Sequence, residues 1–175
     1  MMSEHVEHQV GLDALEPYVP GTPIEDVQRE YGLEDVIKLA SNENPLGPSA
    51  KAVEAIREAL PRLNFYPDGQ SYYLRRALAE FLDLDPAQIA VGNGGDGIIL
   101  QTCMAYLDEG SEVVVSASSF PVYDIYTHVM RADLVKTPLK GYGLDLNAMT
   151  DAITERTKVV FVCNPNNPTG TIVKE

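Results

Sequence analysis

A glycine-rich segment at residues 92–97 has the backbone chemistry of an anion-binding site. It reads Gly-Asn-Gly-Gly-Asp-Gly and lies between a short apolar run and the apolar periodicity of a helix. Glycine lets the backbone approach a ligand closely. The first turn of a helix adds free N–H groups and the positive end of the helix dipole. The segment therefore predicts an anion site, most often for a phosphate group, with an ordinary tight turn as the alternative.

The same six residues also match the G-x-G-x-x-G fingerprint of a dinucleotide-binding turn. That fingerprint requires an acidic residue at the end of the next strand, which binds the ribose hydroxyls. Here the next apolar run leads into Ser-Ala-Ser-Ser-Phe at 116–120, and no acid follows before Asp124. The fingerprint also normally opens its domain, whereas about ninety residues precede this one. A dinucleotide site is the weaker alternative, and a P-loop is excluded because no Gly-Lys-Ser/Thr follows.

Two further segments follow apolar runs and carry groups that could contact a ligand. Asn-Pro-Asn-Asn-Pro-Thr-Gly at 164–170 has two prolines, which restrict the residues before them, and asparagine amides, which can donate to a ligand oxygen. Phe120, after another apolar run, has a ring that could stack on a flat ligand. Ligands of open α/β sheets bind at the carboxyl ends of strands. A structural turn and a core aromatic side chain are the respective alternatives.

The elements that would position these segments alternate between helix and strand. From residue 88 onward, Val-rich strands between helices predict a mostly parallel sheet covered on both faces. The last strand is apolar throughout, so we predict that it is central in the sheet of a larger α/β protein, with one neighbour outside these 175 residues. The periodicity also predicts a buried face with Val53, Ile56 and Leu60 on the second helix. The predicted helices are 22–32 with Thr22 as N-cap, 48–60, 71–82, 96–106, 121–131 and 146–154 with Asp145 as cap, and the predicted strands are 36–39, 88–91, 112–117, 133–137 and 158–163.

Composition limits the class of protein. The chain has 175 residues, of which 45% are hydrophobic and 22% charged, which is typical of a globular protein rather than a disordered or fibrous one. A net charge of −13 argues against nucleic acid and against an anionic membrane surface as partners. We find no membrane span, signal peptide or transit peptide. Two distant cysteines, Cys103 and Cys163, predict neither a disulfide framework nor a zinc site, so we expect a cytoplasmic location.

Four segments together resemble the histidinol-phosphate aminotransferases, pyridoxal-phosphate enzymes of the aspartate aminotransferase fold. They are Leu-Ala-Ser-Asn-Glu-Asn-Pro-Leu-Gly-Pro-Ser at 39–49, Asn-Phe-Tyr-Pro-Asp at 64–68, Val-Gly-Asn-Gly-Gly-Asp at 91–96 and Val-Cys-Asn-Pro-Asn-Asn-Pro-Thr-Gly at 162–170. The resemblance implies a fold type I, three-layer α/β/α large domain, present in part and preceded by an N-terminal arm. Residues 1–45 would form the arm and the start of the small domain, and 46–175 the first part of the cofactor-binding large domain.

The resemblance also implies how the cofactor, pyridoxal 5′-phosphate, would be held. The backbone N–H groups of Gly95 and Asp96 would bind its phosphate. Phe120 would stack on the pyridine ring, and Asn167, whose bond to the next proline would be cis, would hydrogen-bond the phenolic oxygen. Tyr66 would reach the cofactor phosphate of a neighbouring subunit, which implies a homodimer.

Other implied residues concern the substrate and the chemical step. Tyr18 and Asn42 would lie near the substrate. The family lysine that forms the Schiff base with the cofactor lies in a Ser-x-Ser/Thr-Lys segment that would fall beyond Glu175, and none of the six lysines here has that context. The resemblance therefore assigns no catalytic residue to these 175 residues and predicts that they are inactive alone. Ser118 stands where relatives often have proline.

The activity implied for the intact enzyme is amino transfer from L-histidinol phosphate to 2-oxoglutarate in histidine biosynthesis. The products would be imidazole acetol phosphate and L-glutamate. An aromatic-amino-acid aminotransferase or a threonine-phosphate decarboxylase of the same fold is the alternative among enzymes. A non-catalytic binding or regulatory fragment is the alternative outside them.

Overall fold

The computed structural model of the chain describes residues 10–13, 15 and 20–174. These residues divide into two compact units. The smaller unit lies within residues 18–82. The larger unit consists of the residues from 83 onward together with those before 18.

The described part of the smaller unit contains three α-helices. They are α1 (Ile24–Tyr31), α2 (Ala50–Ala59) and α3 (Tyr72–Leu82). Gly32 ends α1 in the left-handed conformation at φ 65°, as predicted for a glycine after a helix. The predicted start is wrong, because Pro23 rather than Thr22 is the N-cap residue and no side chain caps the helix.

Two other predictions for the smaller unit are also wrong. Residues 36–39 form no strand. An apolar run becomes a strand only when another strand pairs with it, and the described part of this unit offers helices. On α2, Ile56 and Leu60 were expected on a buried face but are 62% and 53% exposed. Periodicity identifies the apolar face of a helix without identifying a surface that covers it.

Asp68 stabilises the start of α3. One carboxylate oxygen accepts the N–H of Tyr72 at 2.7 Å, and the other accepts the N–H of Gln70 at 3.0 Å. The bond from Tyr72, followed by the bond from Gln70, lowers the pKa of the Asp68 carboxyl below its ordinary value of 3.8. Asp68 therefore favours the helix most strongly when it is ionised.

The described part of the larger unit alternates strands with helices in the predicted manner. Its three long strands form one parallel sheet in the order β2 (Asp133–Thr137), β1 (Glu112–Ser116), β5 (Thr157–Phe161), and its two short strands form an antiparallel hairpin. The hairpin was not predicted. The elements are α4 (Gly94–Tyr106), β1 (Glu112–Ser116), α5 (Pro121–Val129), β2 (Asp133–Thr137), β3 (Leu139–Lys140), β4 (Gly143–Leu144), α6 (Leu146–Asp151) and β5 (Thr157–Phe161).

The core of this unit is built around β1. Val113, Val114 and Val115 of this strand are fully buried. Cys103 of α4 is also fully buried and packs in the same cluster as Val113. The strand predicted to be central, β5, pairs with β1 on one side, and the described residues provide no strand on its other side, where the predicted neighbour would lie outside them. Val160 on β5 is 37% exposed.

The starts of two helices and one predicted strand in the larger unit can also be compared with their predictions. Residues 88–91 form no strand, and a 3₁₀ turn at Pro86–Gln88 precedes them. Helix α4 begins at Gly94, two residues before its predicted start. Asp145 caps α6 as predicted, because its carboxylate accepts the N–H of Ala148 at 3.1 Å.

A buried carboxylate joins the amino ends of the strands. The side chain of Glu112, at the start of β1, is only 6% exposed and forms an ion pair with Arg156. The hydroxyls of Thr154 and Thr157 donate to the same carboxylate. Arg156 also donates to Asp133 of β2 at 2.8 Å, and this bond, together with the nearby Glu112 charge, raises the pKa of the guanidinium. The cluster therefore connects β1, β2 and the turn before β5.

Neither a membrane span nor a metal cluster occurs among the described residues. None of the helices there is long and apolar enough to cross a bilayer. Within the same part of the chain, no three His, Cys, Asp or Glu side chains are grouped so that they could hold a metal ion.

Candidate functional site

The glycine-rich segment forms the turn into α4. Gly94 is left-handed at φ 67°, and its N–H donates to the carbonyl of Gly92 at 3.0 Å. The N–H of Gly97 donates to the carbonyl of Asn93 at 3.3 Å. Between them, Gly95 and Asp96 occupy the first turn, where N–H groups have no carbonyl of their own helix to bind. The helix thus begins with two N–H groups suited to an anion.

The two sides of this turn differ in how closely they are packed. A Cβ atom added to Gly92 would lie 2.9 Å from Cδ1 of Ile98 and 3.1 Å from Nε2 of Gln101. A Cβ added to Gly94 or Gly95 would meet no atom within 4 Å. The turn is therefore supported by its own helix on one side and open on the other, which is the arrangement an anion cradle requires.

The side chain of Asp96 is bound to the neighbouring helix. Its carboxylate accepts a hydrogen bond from the hydroxyl of Tyr126, on α5, at 2.8 Å. This bond raises the pKa of the Tyr126 hydroxyl. The first turn of α4 is thereby tied to α5, the helix that Phe120 precedes.

Phe120 belongs to a group of three aromatic rings. Its ring meets the edge of Tyr123 with centroids 5.9 Å apart, and Tyr123 stacks on Phe161 of β5 at 4.3 Å. Burial, followed by a hydrogen bond with Cys163, raises the pKa of Tyr123 to about 12. Tyr123 therefore stays protonated at neutral pH and supports Phe120 from the β5 side.

The asparagine-proline segment, residues 164–170, follows β5 and turns sharply. The Asn164–Pro165 and Asn167–Pro168 bonds are both cis, which confirms the prediction for the second. Asn166 is buried, and its side-chain nitrogen Nδ2 donates to the carbonyl of Ser118 at 3.0 Å. Asn167 is half-buried. One hydrogen bond thus connects the segment after β5 with the segment after β1.

Four of the seven predicted site residues, Gly95, Asp96, Phe120 and Asn167, lie in the larger unit. The bond of Tyr126 to Asp96 joins α4 to α5, and the bond of Asn166 to Ser118 joins the segments after β5 and β1. Asn42 and Tyr66 belong to the smaller unit, where Asn42 is exposed in the left-handed region at φ 51° and Tyr66 is 101% exposed. Tyr18 lies outside the described residues.

Comparison with known proteins identifies the family of this chain. The sequence model of the family described as aminotransferase class I and II matches residues 34–175. The chain belongs to this family. It is 52% identical over 160 residues to a histidinol-phosphate aminotransferase of Moorella thermoacetica, which covers 91% of this chain and 42% of that protein. It is 54% identical over 156 residues to a histidinol-phosphate aminotransferase of Brevibacillus brevis, covering 89% and 43%.

Solved aminotransferase structures share the fold of this chain. The crystal structure of histidinol-phosphate aminotransferase from Sinorhizobium meliloti in complex with pyridoxal-5′-phosphate matches with a TM-score of 0.81 and 28% identity, over 96% of this chain and 45% of that one. The predicted fold type I aminotransferase architecture is therefore confirmed. The chain spans less than half the length of the aminotransferases it matches.

Three residues of this candidate site were not assigned roles from the sequence. They are Tyr123, Tyr126 and Asn166, and each acts through a contact with a distant part of the chain. The bond between Tyr126 and Asp96 spans 30 positions and that between Asn166 and Ser118 spans 48. A helical or strand period relates only near neighbours, so spacing gave no signal for any of them.

Proposed function

We propose that the protein containing this chain is a pyridoxal-phosphate-dependent aminotransferase that transfers the amino group of L-histidinol phosphate to 2-oxoglutarate in histidine biosynthesis. The observation that carries the proposal is identity of 52% and 54% to proteins named for that activity. The N–H groups in the first turn of α4, which have no carbonyl partner in their own helix, are compatible with the cofactor part of the proposal.

The residues present fit the cofactor. The N–H groups of Gly95 and Asp96 would hold its phosphate, where an added Cβ at Gly95 finds open space. Phe120 would lie against the flat ring, and the amide of Asn167 would donate to the phenolic oxygen. When bound, the cofactor supplies an electron sink, and the protein supplies binding, orientation and electrostatics. A donor at the phenolic oxygen favours its ionised form and so lowers the pKa of that group.

In this chain, the attraction of a phosphate group must come from local dipoles. The net charge is −13, so the overall field repels an anion. Neutral N–H groups and the positive end of the α4 dipole act over the first turn only. The nearest carboxylate, that of Asp96, is engaged by the Tyr126 hydroxyl. This bond directs the positive end of a neutral O–H dipole at the carboxylate and so partly offsets its repulsion of an anion at the backbone N–H groups.

The finer features of the proposal concern assembly and substrate. We expect the intact protein to be a cytoplasmic homodimer in which Tyr66 binds the cofactor phosphate of its partner. The full exposure of the Tyr66 side chain is compatible with that role. Tyr18 and Asn42 would contribute to the substrate side. The division into an arm with the start of the small domain at 1–45, and a large domain from 46, is part of the same proposal.

The test is a substrate screen of the full-length gene product. Glutamate formation from 2-oxoglutarate is measured with L-histidinol phosphate, with aromatic amino acids and with L-threonine phosphate, the last also followed for decarboxylation. We expect the highest kcat/KM with L-histidinol phosphate. A clear preference for an aromatic amino acid, or decarboxylation of threonine phosphate, would retain the fold and replace the substrate.

A second arm of the test uses the 175 residues alone. They are incubated with pyridoxal phosphate and reduced with borohydride, and the adducts are mapped. We expect no turnover and no single stoichiometric adduct on any of the six lysines. A stoichiometric adduct together with turnover of histidinol phosphate would show that one of these lysines is the catalytic one.

A further inference from the structure

Asn166 is the most constrained polar residue of the asparagine-proline segment. Its side chain is 2% exposed, and its backbone closes the turn from both ends. The N–H donates to the carbonyl of Thr171 at 2.8 Å, and the carbonyl accepts the N–H of Gly170 at 2.7 Å. The side-chain Nδ2 donates both to the carbonyl of Ser118 and to Oγ1 of Thr169, at 3.0 and 2.8 Å. Both protons of the amide are therefore used.

The hydroxyl groups of Thr169 and Thr171 next to this amide form a chain of hydrogen bonds in which the donor of each bond can be assigned. Thr171 Oγ1 lies 3.0 Å from the carbonyl of Tyr142, which can only accept, so the one proton of Thr171 points there. Thr169 Oγ1 lies 3.0 Å from Thr171 Oγ1, and must therefore be the donor in that pair. Thr169 then accepts from Asn166. The order of donation runs from Asn166 through Thr169 and Thr171 to Tyr142, in the turn between β3 and β4.

The orientation of the Asn166 amide follows from the same reasoning. The Ser118 carbonyl can only accept, so Nδ2 and not Oδ1 must face it. This leaves Oδ1 buried with no partner among the described residues. A residue that only filled space or closed a turn would not need a buried amide, because leaving an acceptor unpaired opposes folding. We therefore attribute the role of the amide to the two hydrogen bonds that its nitrogen donates.

We infer that Asn166 is a positioning residue that sets Asn167 and Phe120 relative to each other. Asn167 is its neighbour in the chain, and Ser118 is two residues before Phe120. The bond between Asn166 and Ser118 thus fixes the group for the phenolic oxygen against the ring that covers the cofactor. This inference rests on the proposed function for the roles of those two residues.

The first experiment uses the ¹⁵N-labelled full-length protein and needs no added cofactor. Asn166→Asp is nearly isosteric and replaces the donor that faces Ser118 with an acceptor. Asn164→Asp is the matched control, because it removes the same kind of donor from a bond to the carbonyl of Val173, at 3.2 Å, in the same segment. We expect Asn166→Asp to shift the amide resonances of both Phe120 and Asn167. The control should shift Val173 and leave Phe120 unchanged.

Acidification supplies an internal rescue. A protonated carboxyl at position 166 can again donate to the Ser118 carbonyl, so the Phe120 resonance should return toward its wild-type position at low pH. If Phe120 does not respond to Asn166→Asp at neutral pH, the inference is overturned. If the variant fails to fold, Thr169→Val serves instead: it removes the hydroxyl that bonds Asn166 and Thr171 but keeps the bond from Asn166 to Ser118. Phe120 should then keep its wild-type resonance, and a shift there would overturn the inference.

The second experiment asks whether the position of Asn166 matters to the cofactor. Affinities of wild type and Asn166→Asp are measured for pyridoxal phosphate, for an analogue without the phenolic hydroxyl, and for inorganic phosphate. We expect the preference for pyridoxal phosphate over the analogue to fall about tenfold, with phosphate affinity unchanged. Equal weakening of all three ligands would indicate a structural role only and overturn the inference. If the wild-type protein does not prefer pyridoxal phosphate to the analogue without the hydroxyl, the proposed role of Asn167 is contradicted. The resonance shifts of the first experiment would then still test the role of Asn166.

Discussion

Adding a methyl group at Gly95 should have opposite effects on stability and on phosphate binding. Gly95 has ordinary helical backbone angles within α4, and an added Cβ meets no atom within 4 Å. Alanine in a helix is favoured over glycine by roughly 0.5–1 kcal/mol, and about the lower figure applies in a first turn. Gly95→Ala should therefore raise the free energy of unfolding of the unliganded chain by about 0.5 kcal/mol. The same methyl group would occupy the space assigned to the phosphate.

The binding side of this prediction is larger. A hydrogen bond to a charged group contributes about 1.5–3 kcal/mol, so displacing the phosphate from one N–H weakens binding about tenfold to hundredfold. Gly95→Val should weaken it further. Gly97→Ala is the matched control, because it has the same helical gain but its Cβ contacts Asn93 at 3.4 Å rather than open space. Gly94→Ala should instead destabilise the chain by about 1–2 kcal/mol, since Gly94 is left-handed.

Urea unfolding measures the stability differences, and titration with inorganic phosphate followed at the amide resonances of residues 95 and 96 measures binding. The reasoning is refuted if Gly95→Ala binds phosphate as tightly as wild type, because the open space would then not be the cradle. Loss of stability in Gly95→Ala would contradict the open geometry itself.

Three further predictions concern other parts of the chain. Asn167→Ala should raise the pKa of the cofactor's phenolic group in a spectroscopic titration of the full-length protein; an unchanged curve would leave Asn167 as a turn residue. Glu112→Ala should lower the free energy of unfolding by about 1–3 kcal/mol in urea, because three neighbours donate to this buried carboxylate. Glu109→Ala, which removes an exposed ion pair, should cost under about 1 kcal/mol, and equal losses would contradict this account. The folded pKa of Asp68 is lowered, chiefly by the Tyr72 N–H, so its stabilisation is present above about pH 4 and is lost as pH falls through the folded value. The stability difference between wild type and Asp68→Asn should accordingly shrink on acidification, and a constant difference would argue against it.

The larger unit was predictable because its local patterns agree with its tertiary structure. Residues 133–137 form a strand with the predicted bounds, and the strand and helix at 112–131 differ from prediction only at their ends. The runs at 36–39 and 88–91 look equally apolar but have no strand partner in the described structure. Strand pairing depends on two segments, so the sequence of one segment does not indicate whether a partner strand exists. The two-residue strands β3 and β4 are too short to show an alternation of apolar and polar residues.

The candidate site was predictable where its chemistry lies in the backbone. The roles proposed for Gly95 and Asp96 depend on N–H groups whose freedom follows from the start of a helix, and the sequence marks that start with glycine. Asn166 was treated as one of three similar asparagines, because its distinction from Asn164 and Asn167 depends on which of them faces Ser118. That choice is made by the sheet, which places the ends of β1 and β5 side by side.

The order of the strands in the sheet affects the order in which they can pair while the chain is being synthesised. Strand β1 pairs with β2 at a separation of 21 positions, as in Glu112 with Asp133, but with β5 at about twice that, as in Val113 with Val159. Closing the longer loop costs about 0.6 kcal/mol more in chain entropy. On the ribosome, β1, α5 and β2 emerge and can associate before β5 has been synthesised. The segment that carries Asn167 meets the segment that carries Phe120 only when β5 docks, so among the three described strands of this sheet that contact forms last.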